Sequence, residues 1–245
     1  MNKVDKRRNY YLVVDTETAN SVEQPLPYDI GWAICDKQGR IYERRSFVVM
    51  EVFCDMVETM KSAYYAKKIP QYWDDLKAGT RKLKGMWDIR KTMIADMKMY
   101  DVKAVCAYNM NFDKRALNNL MRYVSKSWKR WWFPFGTEFL CIWNYACNTI
   151  LNNATYIEFA WKNSDKMVSN SGNIMTSAEA AYRYLTDDID FAEEHTGLED
   201  VEIEVQILAE CLKKNIRLNP KVNSACWRVV QRKRKELEVK AAFAA

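Results

Sequence analysis

The chain of 245 residues lacks any run of about 18 uncharged apolar residues, so we expect no membrane-spanning helix. It also lacks a Cys-x-x-Cys pair. Its 7 cysteines are odd in number and have neither the spacing of a zinc ribbon nor that of a disulfide framework. The polar, basic residues 1–8 contain no apolar core of the kind that a secretory signal needs. Together these absences predict a cytoplasmic protein with reduced thiols and no membrane partner.

Internal repeats and Gly/Ser-rich or Pro-rich linkers are also missing, which favours one main domain. Hydrophobic residues make up 49% of the chain and charged residues 29%, as in folded globular proteins. The formal net charge of +6 permits a polyanionic partner without demanding one. We predict a domain over residues 1–215 and a basic, partly helical tail over residues 216–245. That tail is open to three interpretations: an exposed amphipathic helix, a nucleic-acid contact or a docking segment.

Hydrophobic periodicity predicts an alternation of strands and helices. Strands are expected at residues 10–14, 29–35, 41–49, 103–107 and the start of 139–150. Helices are expected at residues 52–68, 81–99, 111–123, 177–185, 199–213 and the end of 139–150. The segments near 51–80, 122–137 and 161–175 have the character of insertions. Within the last of them, we expect residues 161–173 to form a mobile loop. This order predicts an α/β fold with a mixed five-stranded sheet, flanking helices and helical insertions.

Asp15 and Glu17 follow the first predicted strand. Residues i and i+2 of a strand point to the same face of the sheet, so these two carboxylates lie close together. Like charges at that separation repel each other unless protons or cations intervene. The pair is compatible with a divalent-metal site, but a solvated strand end is the better explanation of the triplet taken alone.

A second motif spans residues 109–113, where a predicted strand ends and a helix begins. Asn109 is placed to cap that helix, and Asp113 in the first turn complements the helix dipole. The alternative is that Asp113 supplies a third carboxylate to the sheet edge where α/β proteins bind ligands.

The third motif joins the only histidine, His195, to Asp200 at the start of the last predicted helix of the domain. Taken alone, His195 fits an exposed loop histidine. Asp200 taken alone fits an acidic residue that complements the dipole at a helix N-terminus.

The chain resembles the DEDDh branch of the DnaQ-like 3′→5′ exonucleases over roughly residues 10–213. The resemblance rests on three motifs in this order: Asp-x-Glu, Asn-x-x-Phe-Asp and His-x-x-x-x-Asp. The resemblance implies an RNase H-like fold and two divalent cations, Mg²⁺ or Mn²⁺. Gly197, where many members carry alanine, is interpreted as a neutral change. The residues to which the resemblance gives a role are four metal-binding carboxylates, Asp15, Glu17, Asp113 and Asp200, and a general base, His195.

The implied substrate is the 3′ end of a nucleic acid, with DNA favoured over RNA and single-stranded ends favoured. The candidate substrate-binding residues are Thr16, Thr18, Asn109, Phe112, Arg122, Lys126, Lys129 and Arg130. The last four belong to a basic and aromatic cluster whose tryptophans we expect to be buried in the domain. Two alternatives stay open: an exoribonuclease, and a non-catalytic RNase H-like binding module such as a polymerase subunit. A polymerase or replication partner is not identified by the sequence.

Overall fold

The computed structural model describes residues 4–193, 195–216 and 225–244. Within these ranges six strands form one sheet in the order β4-β3-β2-β1-β5-β6. The strands are β1 (Tyr10–Ala19), β2 (Leu26–Asp36), β3 (Ile41–Val49), β4 (Leu83–Lys84), β5 (Ala104–Ala107) and β6 (Phe139–Cys141). β1, β2 and β3 pair antiparallel, whereas β5 pairs parallel with β1, β6 with β5, and β4 with β3.

Helices cover both faces of this sheet. Those before β6 are α1 (Met50–Phe53), α2 (Val57–Met60), a 3-10 turn (Ala66–Lys68), α3 (Ile69–Ala78), α4 (Met86–Met99) and α5 (Met110–Ser125). Those after β6 are α6 (Ile142–Asn148), α7 (Ala154–Lys162), α8 (Ser164–Met167), α9 (Ala178–Thr186), α10 (Gly197–Lys213) and α11 (Trp227–Ala244). None of the helices in the described ranges combines the length and the apolar composition needed to cross a lipid bilayer.

The alternation of side chains along β1 divides the interior into two apolar cores. Leu12 and Val14 pack with residues from α1 to α5, whereas Val13, one position away, packs with residues from α6 to α11. Fully buried strands therefore present apolar side chains to both faces. The predicted mixed sheet between helices is confirmed.

The sheet has six strands where five were expected. The additional strand, β4, has only two residues at the edge beside β3, too few to show an alternating pattern. The predicted helix over 81–99 was placed too early, because it included the two residues of β4. It begins at Met86, after Gly85, whose extended backbone precedes the first turn.

Two of the expected insertions are organised differently from the prediction. The helix expected over 52–68 is broken into α1, α2 and a 3-10 turn, and α3 follows. The expected loop over 161–173 instead contains the end of α7, the short α8 and an isolated bridge between Val168 and Ile174. The buried Met167 holds this segment against the domain. The polar composition of the segment gave no sign of this contact.

The basic tail contains α11, which packs against α6 and α7. Val230 is buried, and the Gln231 side chain both accepts a hydrogen bond from Ile174 N and donates one to Ile174 O. Residues 217–224 of the predicted tail lie outside the described residues. The boundary at residue 215 stays a prediction.

Candidate active site

Three carboxylates converge where β1 meets the start of α10. Asp15 and Glu17 project from β1, and Asp200 lies in the first turn of α10. One oxygen of each lies within 4.8 Å of the other two, a spacing that suits ligands of a shared cation. The strand and the helix are far apart along the chain, so only the fold brings these residues together.

The close approach of α10 to the sheet depends on two glycines. A Cβ atom on Gly31, the partner of Asp15 on β2, would lie 2.1 Å from the carbonyl oxygen of Gly197. A Cβ on Gly197 would lie 2.9 Å from Gly31 N. Both contacts are with backbone atoms, which cannot turn aside as a side chain can. The interpretation of Gly197 as a neutral replacement for alanine was therefore wrong for this chain.

Asp29 fixes the same helix start from the neighbouring strand. Its fully buried carboxylate accepts hydrogen bonds from the Tyr72 hydroxyl at 2.7 Å, from Arg81 Nη1 at 3.2 Å and from Gly197 N at 3.3 Å. Tyr72 lies in α3, within the 51–80 insertion. This carboxylate thus ties the insertion to the N-terminus of α10.

Asp113 joins the cluster from the first turn of α5. Thr16 Oγ1 donates a hydrogen bond of 2.9 Å to Asp113 Oδ1, which holds the carboxylate against β1. Among the neighbouring carboxylates, Asp113 makes the largest contribution to the raised pKa of Asp15. Asn109 occupies the cap position of α5 without making a side-chain cap.

Burial raises the pKa of three carboxyl groups in the cluster. The pKa of Asp15 lies well above its usual value because the group is desolvated and faces Asp113. Desolvation and the nearby Asp200 raise the pKa of Glu17 to about 8. Desolvation raises the pKa of Asp113 to about 7, against the opposing effect of the Thr16 hydrogen bond. Protons or cations must therefore compensate this cluster near neutral pH.

His195 lies at the rim of the cluster, in a left-handed backbone conformation with φ of 52°. Its Nδ1 atom is 4.0 Å from Asp200 Oδ2 and 3.9 Å from Glu193 Oε2. The Tyr65 ring stacks on the imidazole, with centroids 4.1 Å apart and planes inclined by 13°. This contact comes from the 51–80 insertion, which thereby forms one wall of the site.

Glu204 is a further buried carboxylate near the cluster, and the sequence motifs gave it no role. It accepts a hydrogen bond from Tyr108 N at 3.1 Å, and desolvation together with the charge of Asp113 raises its pKa well above the usual value. The i, i+4 spacing from Asp200 on α10 was the available signal. Tyr65 offered no such signal, because its position depends on the folding of the insertion.

The candidate substrate residues fall into two groups. Asn109, which is exposed, and Phe112, which is half-buried, flank Asp113, while Thr16 and the half-buried Thr18 belong to β1. The other group begins nine residues beyond Asp113, about 13 Å along α5. That group consists of Arg122, Lys126, Lys129 and Arg130.

The expectation that the neighbouring tryptophans are buried is correct only for Trp132. Its indole is fully buried, and the backbone N–H of Trp132 donates a hydrogen bond of 2.9 Å to Asn118 Oδ1. Trp128 and Trp131 are 76% and 56% exposed. The amino-acid composition of the segment does not distinguish these environments, since all three residues lie within five positions.

No protein-family model matches the chain, and neither does any curated protein sequence. Among solved structures, it is similar to Exonuclease I from Methylocaldum szegediense, with a TM-score of 0.51 and 15% identity, over 94% of this chain and 45% of that one. It is also similar to Exonuclease I from E. coli in complex with a 5cy-dT13 oligonucleotide, with a TM-score of 0.51 and 12% identity, over 85% of this chain and 41% of that one.

The chain has the fold of Exonuclease I. The fold that the resemblance implied, a mixed sheet flanked by helices, is therefore confirmed. The chain spans less than half the length of these Exonuclease I structures. At such low identity the likeness is one of fold, and the chemistry of the site rests on the residues of this chain.

Proposed function

We propose that the protein is a metal-dependent 3′→5′ exonuclease that removes nucleotides from the end of a DNA strand, with single-stranded ends favoured. The observation that carries this proposal is the convergence of buried carboxylates from β1, α5 and α10 beside the only histidine. Repelling carboxylates destabilise a fold unless something compensates them. A module that only binds nucleic acid has no use for such a cluster.

We infer two divalent cations, Mg²⁺ or Mn²⁺. Asp15, Glu17 and Asp200 lie close enough together to share an ion, and every candidate ligand, Asp113 included, is a carboxylate oxygen, which these hard cations prefer. Asp15, Glu17 and Asp200 would hold one ion, and Asp15 with Asp113 the other. When bound, such a pair of ions neutralises charge on the scissile phosphate and lowers the pKa of water.

We assign to His195 the role of general base, which accepts a proton from the attacking water. Asp200 and Glu193 lie at its Nδ1 side, and Tyr65 covers one face of the ring. These neighbours limit the orientations that the imidazole can adopt. The base is therefore held beside the proposed metal-binding carboxylates before substrate arrives.

We assign contacts with the terminal nucleotide to Asn109 and Phe112, which flank Asp113, and to Thr16 and Thr18 on β1. The half-buried Phe112 offers a ring face for stacking on an unpaired base. The E. coli structure of similar fold is a complex with an oligothymidine strand, which supports DNA as the substrate class.

The test is hydrolysis of matched DNA and RNA strands that carry a label at the 5′ end. With Mg²⁺ or Mn²⁺ we expect a ladder that shortens one nucleotide at a time on DNA, and no reaction in EDTA. The Asp15→Asn protein, purified in the same way, controls for contaminating nucleases. Faster cleavage of RNA would make the protein an exoribonuclease. Absence of hydrolysis with either metal would leave only a binding module.

A further inference from the structure

The segment that follows Asp113 is charged with one sign only. Residues 114–137 contain six Lys or Arg residues and no Asp or Glu, between Asp113 on one side and Glu138 on the other. The net charge of the whole chain is only +6, so this segment holds as much positive charge as the chain has in excess. A local excess of this kind attracts a polyanion.

The first part of this segment forms a polar stripe on α5, which leads away from the candidate active site. Arg115, Asn119, Arg122 and Lys126 follow at intervals of three and four residues, which places them on one face of the helix. Arg115 and Asn119 donate hydrogen bonds to the backbone carbonyls of the loop before β2. Asn119 also lines a cavity of about 390 Å³, together with Arg122.

Exposed rings cluster beyond the end of the helix. Trp131 and Phe135 line a shallow, apolar cavity of about 400 Å³, and Phe135 is fully exposed. The guanidinium of Arg122 lies 4.6 Å from the centre of the Trp131 ring, and Lys129 Nζ lies 5.5 Å from that of Trp128. Each of these two rings thus has a cation beside it.

The buried Trp132 anchors these rings to the domain. Arg90 Nε donates a hydrogen bond of 2.6 Å to Trp132 O, and the indole N–H of Trp132 points to Met93 Sδ at 3.2 Å. Arg130 is also fixed, with its guanidinium 5.4 Å from the Trp87 ring centre. The exposed rings are therefore presented by a packed scaffold, which lowers the conformational entropy lost when a ligand binds.

A ligand for this surface must supply flat apolar groups and negative charge at short intervals. A single-stranded nucleic acid does so, because unpaired bases stack on aromatic rings while phosphates pair with Lys and Arg. A duplex hides its bases, and an apolar peptide leaves the cations unused. We propose that a surface formed by Arg122, Trp128, Lys129, Arg130, Trp131 and Phe135, the aromatic-basic surface, binds single-stranded nucleic acid.

The position of the aromatic-basic surface relative to Asp113 defines its role, and this step rests on the proposed function. Lys126, at the end of α5, lies about 20 Å along the helix axis from Asp113. A strand on the aromatic-basic surface therefore contacts the protein several nucleotides away from the bond that is cleaved. Such a contact keeps a long strand attached between successive cleavages.

The experiment measures binding of a fluorescein-labelled twenty-nucleotide oligothymidine by fluorescence anisotropy in EDTA, where no hydrolysis occurs. The variant Trp128→Ala/Trp131→Ala/Phe135→Ala should weaken binding by about tenfold for each base stack that it removes. The variant Arg122→Gln/Lys129→Gln/Arg130→Gln should reduce the salt slope by about 0.7 for each phosphate that is no longer neutralised. The matched control is Trp161→Ala, which removes another exposed tryptophan near an arginine, Arg234.

Affinity and salt slope equal to wild type in both triple variants would overturn the proposal, and the surface would then fit a protein partner. A weakening of the same size in Trp161→Ala would overturn it as well. Hydrolysis of a trinucleotide, too short to span both regions, separates the two proposals. Cleavage without binding at the surface defeats only this inference, and binding without cleavage defeats only the proposed function.

Discussion

The two ends of α5 present opposite electrostatic environments. At its N-terminus, Asp113 is buried among like charges, and its pKa is raised to about 7. At its C-terminus, the half-buried Arg122 and the exposed Lys126 each lie over an aromatic ring. One helix therefore connects a region where charge is buried with a region where charge is displayed.

The difference indicates what each region needs from a ligand. Buried carboxylates gain most from small cations, which remove their repulsion and fit the confined space. Exposed cations between rings gain most from a long polyanion, which contacts many of them together. We expect chemistry to depend on the first region and strand affinity on the second, and the following changes test that separation.

Replacing one of the proposed metal-binding carboxylates should have the largest effect. Asp15→Asn and Asp113→Asn should each reduce hydrolysis below detection, while strand binding in EDTA stays intact because the aromatic-basic surface is unchanged. Both variants should resist urea at least as well as wild type at pH 8 without metal, since each removes a buried charge. Asp165→Asn, an exposed carboxylate on α8, is the control. Hydrolysis at the wild-type rate in either site variant would contradict the assignment.

Removing the proposed general base should have the next largest effect. His195→Ala should lower kcat by roughly 10²–10⁴-fold, the usual contribution of a general base. Strand binding in EDTA should again be retained. The decisive measurement is the pH dependence of kcat, and a profile identical to that of wild type would exclude His195 from the proton transfer.

The stacked Tyr65 should have a smaller, indirect effect as a positioning residue for His195. Tyr65→Leu should lower kcat by roughly 10- to 100-fold through a displaced imidazole, and Tyr65→Phe should restore most of it. Because the chain has one histidine, its ring resonances can be assigned in an NMR spectrum without ambiguity.

The upfield ring-current shift of those resonances should vanish in Tyr65→Leu and persist in Tyr65→Phe. Tyr64→Leu, at the exposed neighbouring ring, is the control. The positioning role would be refuted by a histidine shift that is the same in all three proteins.

The backbone contact beneath the acidic cluster should affect stability. Gly31→Ala introduces a Cβ 2.1 Å from a carbonyl oxygen and should lower the free energy of unfolding by about 1–3 kcal/mol or more. Gly197→Ala, at 2.9 Å, should cost less. Gly85→Ala, where the nearest atom is a side-chain oxygen at 3.4 Å, is the control for urea unfolding. Equal midpoints of urea unfolding for Gly31→Ala and Gly85→Ala would show that α10 can move away from β2.

The last expected effect is a pH dependence of stability in the metal-free protein. The pKa values of about 8 for Glu17 and about 7 for Asp113 exceed the value near 4 of an unfolded carboxyl. The native state then binds more protons than the unfolded state between about pH 4 and pH 8, so stability falls as the pH rises through that window.

Thermal unfolding in EDTA should therefore occur at a lower Tm at pH 8 than at pH 5.5. Mn²⁺ should raise Tm more at pH 8, where cations and protons no longer compete. The decline should be shallower in Asp113→Asn. A Tm that rises with pH in EDTA would contradict the raised pKa values.

The sequence by itself determined the fold class and singled out four of the carboxylates that gather at the candidate site. Apolar periodicity depends on local spacing, and the motifs at Asp15, Asp113 and Asp200 are each short enough to be identified by their residue types. For the same reason the helices α5 and α10 were placed to within two residues. The two-residue strand β4 fell below the length at which such patterns exist.

Only the tertiary structure decided which distant side chains meet. The stack of Tyr65 on His195, the anchoring of α10 by Asp29 and the burial of Glu204 each depend on segments folded against one another. The exposure of Trp128 and Trp131 beside a buried Trp132 depends on the path of the backbone, which residue type does not encode. Local spacing fixes what an element presents on each face, whereas packing fixes what that face contacts.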